Sequence, residues 1–152
     1  MLDDTNVAEV ETADLERFMT RCEAALSHQV AGDSSTLLGL WSSADDVAIL
    51  GAIGTYATGW ENVRKHLLGA ARSLDWTGFT VENIVTTVEQ GLAVSVNLEH
   101  MTRQTNAGTE TRTLRATQVY RLESGAWRLI LRHANAVTAD DQKREAQLLE
   151  HL

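Results

Sequence analysis

The chain has 152 residues, 43% hydrophobic and 22% charged, enough for one globular domain to build its own core. Thirteen basic residues stand against 21 acidic ones, a formal charge of −8, and no basic run exceeds a dipeptide, so neither nucleic acid nor an anionic membrane is expected as a partner. The single cysteine, Cys22, excludes an intrachain disulfide framework; no stretch approaches the roughly 18 apolar residues of a membrane span, and no signal-like leader is seen, so a cytoplasmic location is expected.

Residues 1–11 are acidic and aperiodic and are expected to be mobile. From Leu15 the apolar residues Phe18, Met19, Cys22, Ala25, Leu26 and Val30 recur at helical spacing, with Gly32 as the stop. Cys22 falls on that stripe and is expected to be a buried thiol rather than a nucleophile. The stretch "DDVAILGAIGTY" predicts a buried strand bent at Gly51 and Gly54 and continuing to Tyr56. "TGWE" then reads as a capping box, Thr58 with Glu61, opening a second helix marked by Trp60, Val63, Leu67, Ala71 and Leu74.

From Phe79 the period changes to two. Extended runs over 79–89, 92–105, 111–122 and 126–135 are separated by Glu-Gln-Gly, Asn-Ala-Gly and Glu-Ser-Gly, and predict an antiparallel meander. "TADD" at Thr138 opens a short C-terminal helix. The expected divisions are an N-terminal segment 1–11, one domain over 12–137 and a helical tail over 138–152. The fold class is α+β, with helices on one face of a sheet and a pocket where the two diverge.

Strand parity nominates the pocket residues. Following the apolar stripes, Leu92, Val94, Val96, Leu98 and His100 face inward, as do Leu114, Ala116, Gln118 and Tyr120, and Trp127, Leu129, Leu131, His133 and Asn135; Glu99 and Arg103 fall on the solvent or subunit face. On turns centred near Ala107 and Ser124, His100 and His133 flank one strand about 10 Å apart, with Ala116 between them. A β-bulge would reverse one of these parities. Tyr56, Trp41 and Trp60 are further candidates for the pocket wall. The histidines lack metal-ligand spacing and there is no phosphate loop, so neither metal nor cofactor is expected.

"DDVAILGAIGTYATGWENVRKHL" resembles the first strand and second helix of the nuclear transport factor 2-like superfamily, and "RATQVYRLESGAWRLILRHAN" its last hairpin, with the Gly-x-Trp turn. The resemblance spans residues 15–137 and is nearest to the SnoaL-like branch and the association domain of calcium/calmodulin-dependent kinases. It implies a cone-shaped, cystatin-like roll, a curved antiparallel sheet wrapped around helices, with an internal pocket and a homodimer joined through the outer sheet faces. The isomerase relatives carry an aspartate base near Gly51, which this chain lacks. The association domain's pocket arginines correspond to Gln118 and Ala134. Its expected function is to bind a small, largely apolar molecule. The alternatives are an isomerase, dehydratase or hydrolase of a small carbonyl or hydroxy compound, with His133 or His100 as general acid or base and Gln118, Asn135, Tyr56 or Tyr120 placing the substrate, and an oligomerisation module.

Overall fold

The computed structural model describes residues 4–152, so residues 1–3 of the expected N-terminal segment lie outside the described residues. Helix α1, Asp4–Val30, begins well before the apolar stripe: residues 4–11 continue the helix as an almost wholly exposed extension. Leu15, Phe18, Cys22, Ala25 and Leu26 are buried along its stripe. Gly32, at φ 105°, ends it, and the Asp33 amide turns back to donate to the His28 carbonyl at 2.9 Å.

A single-turn helix α2, Ser35–Leu38, follows and was not anticipated. The expected bent strand is two strands, β1 (Ala48–Leu50) and β2 (Tyr56–Thr58), paired antiparallel across the glycine-containing loop. Thr58 belongs to β2, and α3, Trp60–Ala71, starts from Gly59 at φ 77° with no side-chain cap; the capping box read from Thr58 and Glu61 does not form. At Thr138 the capping box does form, with Asp141, and opens α4 over Ala139–Leu149.

The meander comprises β3 (Gly78–Glu89), β4 (Leu92–Thr105), β5 (Gly108–Glu123) and β6 (Ala126–Val137). With β1 and β2 it makes one six-stranded sheet in the order β2-β1-β6-β5-β4-β3; β1 runs parallel to β6. The last hairpin turns through Ser124 (φ 50°) and Gly125 (φ 81°), the pair of positive φ angles that a two-residue connection needs. The main core joins the α1 stripe to Trp41, Val47, Ile49, Val63 and Leu67 and to Ala93, Tyr120, Trp127 and Leu129 of the sheet; Val30, Trp76, Met101, Leu114, Ala116 and Ala134 form a second cluster.

Two features decide which side chains reach the interior. In β4 the buried residues are Ala93, Ser95, Asn97, Glu99 and Met101, so Val94, Val96, Leu98 and His100 take the outer face. The strand is inverted, its polar residues inside and its valines outside. In β6 a bulge leaves Ile130 unpaired, because Tyr120 pairs with Leu129 while Val119 pairs with Leu131. Beyond it the parity reverses: Arg132 and Ala134 turn inward, and Leu131, His133 and Asn135 turn out.

Candidate functional site

Behind the inverted face of β4 lies a buried polar network. Arg132, 8% exposed, donates to both carboxylate oxygens of the fully buried Glu99, at 2.6 and 2.7 Å, and to Gln118 Oε1 at 3.0 Å. Gln118 Nε2 donates to the Tyr120 hydroxyl at 2.8 Å, and that hydroxyl is also 2.8 Å from Ser95 Oγ. Burial by itself pulls the Arg132 guanidinium down, but the charge and hydrogen bonds of Glu99 outweigh it and hold Arg132 above its ordinary value. Burial pushes both the Tyr120 hydroxyl and the Cys22 thiol up to about 12. Both keep their protons at neutral pH, so Cys22 is the inert buried thiol its place on the stripe predicts.

Two cavities adjoin this network. The first, about 500 Å³, lies between the middle of α1 and the sheet, with Cys22, Asn83, Asn97, Gln118 and Tyr120 in its wall. The second, about 360 Å³, lies beneath α3 and the 51–55 loop; Leu26, Ile49, Leu67, Trp76, Met101 and Leu114 give it apolar walls. The cavities share Leu26 and are linked through the Gln118–Arg132 hydrogen bond.

Three polar residues in the second cavity stand out. Arg132 is engaged through both Nη atoms by Glu99 and Gln118. His66, half-buried on α3, is shifted below its ordinary value by desolvation, so its imidazole is neutral at pH 7. It packs over Gly51, where a Cβ would come within 2.8 Å of His66 Nε2. Gln29, 5% exposed, donates through Nε2 to the Leu67 carbonyl at 2.9 Å, while its buried Oε1 has no hydrogen-bond partner among the described residues. An uncompensated buried acceptor costs about 1–3 kcal/mol, and a ligand hydroxyl would relieve that cost.

The residues nominated from sequence scatter. His100 and His133 are corrected to the outer sheet face, His100 because β4 is inverted and His133 because of the bulge at Ile130. Asn135 turns outward with His133, paired to Arg115. His100 there approaches Thr113 (3.1 Å) and Glu82 (3.4 Å). Tyr56 is exposed on the edge strand β2, Trp41 is buried in the main core beside Leu129, and Trp60 packs against that core, so none of the three lines either cavity. Gln118 and Tyr120 do face inward, in the wall of the first cavity. Glu99, expected outside, is at the centre of the network, and Arg103 is half-buried with its guanidinium 4.5 Å from the Trp76 ring centroid.

A family model described as a SnoaL-like domain matches residues 15–139. The chain belongs to the SnoaL-like family. Solved structures of the same fold agree. A candidate calcium/calmodulin-dependent protein kinase type II association domain from Thiobacillus denitrificans superposes with a TM-score of 0.69 at 18% identity, covering 81% of this SnoaL-like chain and 94% of its own. A candidate dehydratase of the nuclear transport factor 2-like family from Streptomyces avermitilis gives 0.67 at 17% identity, over 87% and 99% of the two chains. A protein with a cystatin-like fold from Caulobacter vibrioides gives 0.65 at 15%, over 90% and 96%. At these identities the likeness concerns the fold. No curated protein matches the SnoaL-like chain. No helix among the described residues is long and apolar enough to cross a membrane.

Proposed function

We propose that this SnoaL-like domain binds a small, largely apolar molecule bearing a hydroxyl group in the cavity beneath α3. The observation that carries this reading is the 360 Å³ cavity, walled mostly by apolar side chains, with Gln29 in its wall and the buried Oε1 of that side chain lacking a hydrogen-bond partner among the described residues. Such a wall, with few polar groups to fix orientation, suits a compact apolar ligand. Binding is favoured over catalysis because the inward titratable groups are committed: Glu99 and Arg132 to each other, Tyr120 and Cys22 to their protons. His66 lines the cavity and could take up a proton from a bound molecule, but among the described residues no carboxylate hydrogen-bonds or ion-pairs with it.

Calorimetric titration with 1-octanol tests this. Saturable binding is expected, weakened about five-fold by Gln29→Met, the worth of roughly 1 kcal/mol for one hydrogen bond, and abolished by Ala70→Phe, which fills the cavity from α3. Binding that is indifferent to both substitutions would place the ligand elsewhere.

The outer sheet face supports a homodimer as part of the same reading. Val85, Val96, Thr117, His133 and Leu50 lie in one cross-strand row, and Val94, Val119 and Leu131 lie in the next. Val85, Val96 and Leu50 are exposed in the single chain. Rows rich in valine and leucine, set out so as to be self-complementary about a two-fold axis, are what an isologous interface requires. Val96→Arg is expected to convert a dimer to a monomer in sedimentation experiments without altering octanol binding; a wild-type monomer would contradict this.

A further inference from the structure

The cavity beneath α3 has a charge pattern opposite to that of the chain. The sequence has 21 acidic and 13 basic residues, yet the charged residues lining this cavity are Lys65, Arg112 and Arg132, with no Asp or Glu among them. Arg132 is neutralised by Glu99. Lys65 and Arg112 are exposed at the rim and make no ion pair with a carboxylate among the described residues.

Trp76 sharpens the contrast. It lines the cavity and carries two guanidinium groups, Arg103 at 4.5 Å and Arg112 at 5.1 Å from its ring centroid. Arg103 is closed by Glu110 at 2.8 Å and by Asp75, so its charge is spent within the protein. Arg112 is stacked on the same ring and held in place, but its hydrogen-bond donors have no acidic partner. A planar cation stacked on Trp76 beside an apolar wall, with the Lys65 ammonium lining the same cavity, offers the charge and donors that a carboxylate takes.

We propose that the ligand is an apolar carboxylic acid, its hydrocarbon body against the walls and its carboxylate at the rim with Lys65 and Arg112. This rests on the reading that the cavity binds a small molecule, and names that molecule's chemical class. Gln29, in the wall of the same cavity, is a further polar group for such an acid.

The test compares octanoate, 1-octanol and octylamine by quenching of tryptophan fluorescence, with calorimetry as a second readout. Octanoate is expected to bind roughly five-fold or more tightly than octanol, the size of effect two exposed ion pairs supply, and octylamine more weakly than either. The preference for octanoate should shrink as salt is raised and disappear in the Lys65→Gln/Arg112→Gln double variant, whose changes are on the surface. Octanol or octylamine binding as well as octanoate would overturn the carboxylate assignment while leaving the cavity reading intact. If none of the three binds, the cavity reading itself fails.

Discussion

Glu99→Ala is expected to cost about 3–5 kcal/mol of folding stability, because it leaves the Arg132 guanidinium buried without its counter-charge. Arg132→Met should cost a similar amount for the converse reason, stranding a carboxylate that has no exposed surface. The double variant Glu99→Leu/Arg132→Met removes both charges and is expected to recover most of the loss, since an apolar pair of similar volume carries no desolvation penalty. Urea unfolding of the four proteins reads this directly. Single variants losing less than about 1 kcal/mol would mean that the pair behaves as a surface ion pair, against its burial. The pair also determines what the cavities can do. It puts one positive and one negative group in the interior and cancels them, so in the proposed site the polar contacts to a ligand would come from Gln29, His66 and the rim cations.

Insertion of one alanine after Ile130 is expected to abolish cooperative folding. Ile130 is already the extra residue of the bulge, and one more residue there, with the ladder to β5 kept, turns every later residue of β6 to the other face. Arg132 and Ala134 would turn out, His133 and Asn135 would turn in, and Glu99 would be left unpaired. The loss of the ion pair alone is about 3–5 kcal/mol, and two polar side chains would be buried in the place of Ala134. A domain of this size has roughly 5–15 kcal/mol to lose. Circular dichroism and proton–nitrogen correlation spectra check the outcome; an insertion variant with dispersed resonances and a sharp unfolding transition would show that the bulge absorbs the added residue and β6 keeps its facing.

The same bulge marks where sequence reading stops short. The α1 stripe, the meander, its glycine turns and the inward parity of β5 all follow from periods that burial imposes on one face. Gln118 and Tyr120 were found for that reason. In β6 no glycine or aspartate announces the bulge; the only trace is the run Leu129-Ile130-Leu131, where alternation lapses, and apolar residues on both parities conceal the change of face. In β4 the rule that the apolar parity is the inner one fails outright. Val94 and Val96 face out because the opposite parity, Ser95, Asn97 and Glu99, is used by the interior network. A polar parity ending in a carboxylate, opposite a valine stripe, is legible as an inverted strand only if one allows that both faces may be covered. His66 and Gln29 were missed because they sit on helices otherwise read for their apolar stripes; only the three-dimensional closure of α1, α3 and the 51–55 loop brings them to one cavity.

In the proposed reading the cavity beneath α3, and not the outer sheet face, receives the ligand. A proton–nitrogen correlation titration of the labelled protein with octanoate tests it most directly. Shifts are expected at the Trp76 indole and at the amides of Gln29, His66, Ala70 and Ala134, with His100 and His133 unmoved. Shifts gathered on His100, His133 and their outer-face neighbours, with Trp76 still, would contradict it.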